Sequence, residues 1–179
     1  MKRIMQSTLA LAIAMTFSVV TVKAQELEEI IVTATKKEES LQDISVSVTV
    51  IDGNLIEKAA VNSLQDLGRY VPNFSVSENA ISTITTMRGI SIGANQSFEQ
   101  SVGLFVDGVH MPKGRQFRTG MFDVERVEVL RGPQGTLYGR NSIGGVVNLI
   151  TKNPSQETDG YVKLGYGEYD TTMAEAAFG

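Results

Sequence analysis

The chain has 179 residues, a mass of 19.4 kDa and a formal charge of −4. Its hydrophobic share of 42% and charged share of 20% are typical of one globular domain, alone or with part of another. It has no Cys and one His, His110, which excludes disulfides, thiolate metal sites and cysteine nucleophiles within it. Metal binding could use only carboxylates, and we predict no metal site and no cofactor. Seventeen Gly against four Pro predict a strand-rich, turn-rich body.

The N-terminus has the pattern of a secretory signal peptide. A basic start, Met1–Arg3, precedes an apolar run over Leu9–Val20, and cleavage is expected after Ala24. The run is shorter than the roughly 20 residues that a membrane-spanning helix needs. Loss of residues 1–24 removes three basic residues and leaves 13 basic against 20 acidic ones, a formal charge of −7. This balance argues against a nucleic-acid partner, because phosphate binding needs a basic face.

The next segment, 25–43, begins with a short β-prone run. Ile30–Thr33 has high strand propensity, with acidic residues before it and Lys36 and Lys37 after it. These charges discourage packing into a core, and the run has no obvious neighbour to pair with. Such a segment suits strand addition to the sheet edge of a partner. The alternative, that it is the first strand of the folded domain, stays open from the pattern alone.

From Ile44 onward, alternation and turn residues predict the elements in chain order. A half-buried strand from Ile44 ends at the Asp52–Gly53 turn, and two helices follow. The first covers 55–60, and the second is capped by Asn62 or Ser63 and closes at Val71–Pro72. The later predictions are strands at 74–77 and 81–87, a loop at 89–101, a hairpin at 104–111 around Asp107–Gly108, a basic loop at 112–121, and strands at 124–130 and 145–151.

Two glycine-rich stretches invite enzymatic interpretations. Gly89–Gly93 matches G-x-S-x-G around Ser91, and Asp107 and His110 follow in the order of a hydrolase triad. A nucleophile elbow needs a helix directly after the Ser, whereas the residues after Gly93 are typical of a loop. Serine hydrolysis is therefore the least supported interpretation, and we predict that the chain is not an enzyme.

The second stretch has the glycine spacing of a phosphate-binding loop. Gly139 and Gly144 are separated as the motif requires, but Gly145 stands where the motif needs Lys. No strand runs straight into this stretch either. Nucleotide binding is disfavoured on both grounds.

Several of these segments resemble TonB-dependent outer-membrane receptors. Residues 28–35, EEIIVTAT, resemble the TonB box, and the remaining motifs resemble the plug domain of that family. The plug motifs are TMRGI at 86–90, VDGV at 106–109, VERVEVLRGPQGTLYG at 124–139 and GGVVNLIT at 144–151. The resemblance implies an α/β (α+β) plug domain with a small mixed sheet and short helices, enclosed by a β-barrel.

The resemblance also implies a domain organisation. We expect a signal peptide at 1–24, a TonB box and flexible linker at 25–43, the plug at 44–154 and the start of the barrel at 155–179. Alternating residues in 162–178 predict a first barrel hairpin. A barrel strand takes about ten residues, so a whole barrel needs a far longer chain and the sequence is interpreted as a truncated receptor.

The implied function is energy-coupled uptake of a scarce nutrient, with a ferric siderophore or other iron complex as the default ligand. Vitamin B12, haem and oligosaccharides remain open. The implied partners are TonB, with ExbB and ExbD, and the outer membrane by way of the missing barrel. The alternative is a barrel-less periplasmic plug-like binding or signalling module, or a non-functional receptor fragment.

Roles for individual residues follow from the same resemblance. Residues expected to pair with TonB are Glu29, Ile30, Ile31, Val32, Thr33 and Ala34, with Ile31 and Val32 the strongest candidates. Arg88 and Arg131 are expected to pair with barrel glutamates and lock the plug, since a guanidinium suits bidentate pairing. Candidates for ligand contact in the outward loops are Asn95, Gln96, Lys113, Arg115 and Arg118, the basic ones by attracting an anionic ligand.

Overall fold

The computed structural model describes residues 30–80, 82–93, 99–153 and 160–178. The predicted signal peptide, Glu29, Asn95 and Gln96 lie outside the described residues. The strands are β1 (Ile31–Val32), β2 (Glu39–Ser40), β3 (Val48–Asp52), β4 (Phe74–Glu78), β5 (Thr83–Met87), β6 (Glu99–Val106), β7 (Val109–Lys113), β8 (Val124–Arg131), β9 (Gly145–Thr151), β10 (Gly160–Gly167) and β11 (Thr171–Phe178). The helices are α1 (Gly53–Lys58), α2 (Gly135–Tyr138) and the 3₁₀ helices Asp66–Arg69, Gly114–Arg118 and Glu168–Asp170.

A five-stranded mixed sheet with the order β3-β8-β9-β6-β7 organises the domain. β9 runs parallel to β6 and antiparallel to β8, and the other neighbours are antiparallel. β9 is therefore hydrogen-bonded on both edges, and its first five residues are buried. This sheet and the short helices confirm the predicted fold class.

The main core lies between this sheet and the segments that cross it. Its fully buried side chains include Leu64, Leu67 and Phe117 from the crossing segments, and Val127, Val129 and Val147 from the sheet. Each such side chain contributes roughly 1.5–3 kcal/mol on burial. The core therefore fixes how the loops sit over the sheet.

The predicted strand end at Asp52–Gly53 and the helix after it are both present, but the second predicted helix differs. Asp52 caps α1, because its carboxylate accepts a hydrogen bond from the backbone N–H of Leu55 at 2.6 Å. The predicted second helix is only the 3₁₀ helix Asp66–Arg69. The predicted cap is also wrong, because the Asp66 carboxylate accepts from the backbone N–H groups of Asn62 and Ser63, at 3.2 Å each.

Two predicted loops are shorter than expected. The loop at 89–101 ends at Glu99, where β6 begins, and the buried Gln100 amide oxygen accepts from the backbone N–H of Thr85 at 3.2 Å. Within 112–121, β7 continues to Lys113 and a 3₁₀ helix follows. The first strand likewise begins at Val48 instead of Ile44. In each case hydrogen bonds to a distant strand decide the boundary.

Two predicted hairpins are confirmed. β6 and β7 join through Asp107 and Gly108, whose positive φ angles of 47° and 80° suit a type I′ turn. β10 and β11 pair antiparallel from Gly160↔Phe178 to Gly167↔Thr171. The alternating side chains Val162, Leu164 and Tyr166 of β10 are 74–78% exposed. Such an uncovered apolar face is the expected property of a strand that faces lipid.

No helix in the described ranges has both the length and the apolar character required to cross a membrane.

Candidate functional site

The β-prone N-terminal run folds back on itself as a small hairpin. Ile31 pairs with Ser40 and Val32 with Glu39, and the backbone N–H of Leu41 donates to the carbonyl of Ile30 at 2.9 Å. The chain reverses near Lys36, which has a φ of 63°. The expectation that this run has no neighbour to pair with is therefore wrong. The part of the predicted flexible linker that is described contains regular hydrogen-bonded structure.

The hairpin packs on the sheet through alternate side chains. Val32 and Ala34 are fully buried, and Ala34 joins a small apolar cluster with Phe105, Leu130 and Val146. Ile31 points outward and is 54% exposed. The expectation that flanking charges keep this run off the core is wrong, because the charged side chains of Lys36 and Lys37 follow the buried positions and stay exposed. We call residues 31–36 the docked segment.

A buried carboxylate in the middle of β8 holds the docked segment. Glu128 is fully buried and accepts hydrogen bonds from the Thr33 backbone N–H at 3.0 Å and the Thr33 hydroxyl at 3.4 Å. Arg126 Nε donates to it at 2.8 Å and Asn148 Nδ2 at 3.4 Å. A buried charge needs such partners to offset the cost of its lost hydration. Thr33 therefore belongs to a charge-assisted network.

A tyrosine from α2 makes a second polar contact with the docked segment. The Tyr138 hydroxyl donates to the carbonyl of Ala34 at 2.8 Å. Burial, with a further contribution from the charge of Glu128, raises the pKa of Tyr138 to about 12. The hydroxyl therefore keeps its proton at neutral pH and remains a donor. The Lys36 ammonium lies 4.8 Å from the Tyr138 ring centroid and 5.5 Å from that of Phe105, within cation–π range.

Neither Glu128 nor Tyr138 is among the site residues predicted from the sequence. The available signal was the alternation in β8, which places the charged residues Arg126 and Glu128 on one face with the apolar Leu130. A charge that shares a buried face requires a partner. The identity of that partner, 95 positions earlier in the chain, was not contained in the local pattern.

The described candidates for ligand contact, Lys113, Arg115 and Arg118, lie at the end of β6 away from the docked segment. At this end, Glu99, the first residue of β6, pairs with Lys113. At the opposite end, the docked segment and the Asp107–Gly108 turn line a cleft of about 470 Å³. Eight residues of strand separate the two ends by about 25 Å. A hydrogen bond from the Asn141 amide, with a weaker effect of Arg140, holds the pKa of Glu99 below its ordinary value.

The three basic candidates at that end differ in their surroundings. Lys113 and Arg115 are exposed. Arg118 is held by the β4–β5 hairpin: its guanidinium donates to the Thr83 hydroxyl and the Asn79 carbonyl, both at 2.7 Å, and lies 3.6 Å from a Glu78 carboxylate oxygen. Most of the donors of Arg118 are therefore used within the fold, and its role in ligand attraction stays a prediction.

Arg88 and Arg131, the candidate lock residues, both lie at this same end. Arg88 has a φ of 51°, and its guanidinium lies against Gly132, the residue after Arg131. Arg131 is half-buried, and its Nε is buried without a hydrogen-bond partner. Within the described ranges neither guanidinium is paired with a carboxylate. Their pairing with barrel glutamates stays a prediction.

The structure does not assemble a hydrolase triad. Ser91 is exposed and adjoins Ile90, whose carbonyl accepts from the Ser101 hydroxyl near the start of β6. Asp107 lies in the turn at the other end of β6 and His110 in β7, about 20 Å of strand away. The carboxylate of Asp107 accepts from the N–H of Thr151 at 2.9 Å and from its hydroxyl at 2.8 Å. It is therefore used to fasten the turn to β9.

The other glycine-rich stretch also lacks its functional context. Gly139–Gly144 follows α2 and leads into β9, so the helix precedes the loop, the reverse of a phosphate-binding loop. Across the described residues, no group of three or more His, Asp or Glu side chains is placed to hold a metal ion.

The small mixed sheet with its few short helices matches the fold expected of a plug domain. The chain matches the model of the TonB-dependent Receptor Plug Domain family over residues 40–146. It belongs to this family. Because the family is one of transport receptors of the outer membrane, the outer membrane is the location of the protein.

Similar proteins are much longer. The pesticin receptor of Yersinia pestis is 33% identical over 150 residues, which are 82% of this chain and 22% of that protein. The vitamin B12 transporter BtuB of Vibrio vulnificus is 34% identical over 181 residues, covering 90% of this chain and 27% of that one. The crystal structure of the ferric yersiniabactin uptake receptor FyuA from Yersinia pestis matches with a TM-score of 0.64 and 31% identity, over 72% of this chain and 20% of that one. The chain thus spans about a fifth to a quarter of these relatives.

Proposed function

We propose that this chain is the plug region of an outer-membrane receptor for TonB-coupled uptake of a scarce nutrient, with a ferric siderophore or another iron complex as the ligand. The observation that carries the proposal is the β-prone run at 30–34, docked at one end of a plug-family sheet. The ligand class is supported by similarity to a receptor described as taking up ferric yersiniabactin. Similarity to a vitamin B12 transporter supports the broader class of scarce nutrients.

TonB is the proposed partner of residues 29–34. An extended run can add to the sheet edge of a partner, where main-chain hydrogen bonds supply affinity and alternate side chains supply selectivity. Ile31 offers an exposed apolar side chain for this contact, whereas Val32 becomes available only when the segment leaves the sheet. Energy would come from ExbB and ExbD through TonB, and pulling on the run would remodel the plug.

The opposite end of β6 is the proposed ligand end. Lys113 and Arg115 are exposed there and would attract an anionic complex by long-range electrostatics, with Arg118 adding its charge. Arg88 and Arg131 would pair with carboxylates of the barrel wall, and the unpartnered Arg131 Nε supports this proposal because a buried donor favours a partner. β6 connects the ligand end directly to the docked segment.

The test is binding of a peptide spanning residues 26–36 to the periplasmic domain of TonB, measured by calorimetry. We expect saturable binding by the native peptide. Ile31→Pro should weaken it at least tenfold, about 1.4 kcal/mol, because proline removes a strand N–H and resists ladder pairing. The matched control is Lys36→Ala, which lies after the predicted strand and should bind normally. Absence of binding to every TonB paralogue of the cell would contradict the proposal.

A further inference from the structure

The docked segment has few free backbone groups with which to add to another sheet. Ile31 and Val32 are paired with β2, and the N–H of Thr33 donates to Glu128. The carbonyl of Thr33 accepts from the N–H of Lys36 at 2.8 Å, and that of Ala34 accepts from Tyr138. Strand addition requires these same groups. In this conformation the segment is closed to a strand-forming partner.

We propose that Glu128 and Tyr138 form a latch that holds residues 31–34 closed, and that pairing with TonB requires this latch to open. The inference rests on the proposed function for its partner, but not for its geometry. Glu128 on β8 accepts from the main-chain N–H of Thr33, and Tyr138 on α2 donates to the carbonyl of the next residue, Ala34. Both are positioning residues, since they act through the docked segment.

The surroundings of Glu128 make opening reversible. When Thr33 leaves, the carboxylate keeps its hydrogen bonds from Arg126 Nε at 2.8 Å and Asn148 Nδ2 at 3.4 Å. No unpaired charge is left in the sheet, so opening does not carry the penalty of an orphaned buried carboxylate. Without these two partners, release would destabilise the sheet itself. The latch can therefore open while the plug core stays folded.

Because the sequence contains no cysteine, a single introduced thiol is the only group of its kind that can react. A single thiol introduced as Ala34→Cys sits at a fully buried position of the docked segment, and its reaction rate with a maleimide measures how often the segment opens. In the full chain carrying this reporter, we expect Glu128→Gln to raise the rate about tenfold and Tyr138→Phe about fivefold, from the usual strengths of charged and neutral hydrogen bonds.

Glu125→Gln is the matched control for the Glu128 variant. Glu125 is the neighbouring carboxylate on β8 and also pairs with Arg126, but it makes no hydrogen bond to the docked segment in the described structure. Its removal should leave the maleimide rate unchanged. Equal acceleration by the Glu125 and Glu128 variants would overturn the latch, because both would then act by loosening β8 in general.

A second reporter separates opening of the segment from unfolding of the plug. Val147→Cys places the thiol in the fully buried centre of β9, and it should stay protected in every variant. Unchanged reactivity at position 34 in both latch variants, with position 147 protected, overturns the proposal. If Glu128→Gln exposes position 147, the variant has unfolded and Tyr138→Phe decides alone: a rise at position 34 supports the latch, and no rise overturns it.

This experiment contains no TonB, so the two proposals can fail separately. Thiol data that show a latch, together with a peptide that binds no TonB, would overturn the proposed function only. A peptide that binds TonB, with no effect of the latch variants on the thiol, would overturn the latch only. If both hold, Glu128→Gln in the full chain should bind TonB tighter than the unchanged chain by the factor seen in the maleimide rate.

Discussion

Gly145 shows how one residue can determine the sheet. It is the first residue of β9 and lies between β8 and β6. Its φ is 150°, a backbone conformation that residues with an L side chain rarely adopt. A Cβ there would collide with the side chain of Met87 and the carbonyl of Leu130. Only glycine therefore lets β9 enter the sheet at this point.

We predict that Gly145→Ala destabilises the plug by about 3 kcal/mol, the sum of overpacking and an unfavourable φ. Urea unfolding followed by circular dichroism measures the loss. Gly135→Ala is the control, since nothing lies within 4 Å of a Cβ there, and it should change stability by less than about 0.5 kcal/mol. Equal unfolding midpoints for the two variants would show that the crowding at position 145 relaxes without cost.

Arg118 illustrates that a basic residue on a loop can have a structural use. Its hydrogen bonds to the Thr83 hydroxyl and the Asn79 carbonyl tie the 3₁₀ helix Gly114–Arg118 to the β4–β5 hairpin. A charge-assisted hydrogen bond is stronger than a neutral one, so this side chain supports the loop architecture. Arg115 on the same 3₁₀ helix is exposed and has no such contacts in the described structure, so it is the freer candidate for ligand attraction.

At the scale of elements, α1 depends on its cap. Six residues are too few to form a stable helix alone, so α1 relies on packing of the buried Ile56 and on Asp52. Asp52 is both the last residue of β3 and the N-cap of α1. The strand-to-helix transition is therefore concentrated at one side chain.

Asp52→Ala should cost about 1 kcal/mol of stability, because it removes the acceptor for the N–H of Leu55. Asp52→Asn keeps an acceptor oxygen and should retain most of it. The comparison is made by urea unfolding of the three proteins under one set of conditions. A loss of equal size in the Asn and Ala variants would mean that the carboxylate charge, and not capping, is what stabilises this junction.

At the scale of the whole molecule, the hairpin β10–β11 has an uncovered apolar face. Its outward side chains Val162, Leu164 and Tyr166 have no covering layer in the described structure. Neighbouring strands are needed to satisfy its edges in lipid, because unpaired backbone groups are costly there. This chain spans a fifth to a quarter of its relatives, so the remaining part of those proteins is long enough to contain such neighbouring strands.

We therefore predict that an antibody against residues 44–152 detects an outer-membrane protein several-fold heavier than 19.4 kDa. Immunoblotting of fractionated cells measures this, and the band should shift between heated and unheated samples, as closed barrels do. Cells lacking the gene provide the control. A soluble periplasmic band near the size of the processed chain would instead support the barrel-less module and exclude transport by this chain alone.

The local sequence determined those strands and turns whose residue pattern lies within a few consecutive positions. An apolar run predicted the bounds of β9, alternation nearly those of β8, and an Asp-Gly pair the β6–β7 turn. The family motifs also predicted the fold class. These succeed because pleat alternation and turn φ angles depend on residues close together in the chain.

Tertiary structure alone decided the state of the N-terminal run. Its propensity predicted a strand, but its docking depends on Glu128 and Tyr138, 95 and 104 positions away from their partners. The same holds for β6, whose start is joined to β5 by the buried Gln100. Propensity describes what one segment favours, whereas burial of a charge or a donor is decided by which distant groups the fold brings to it.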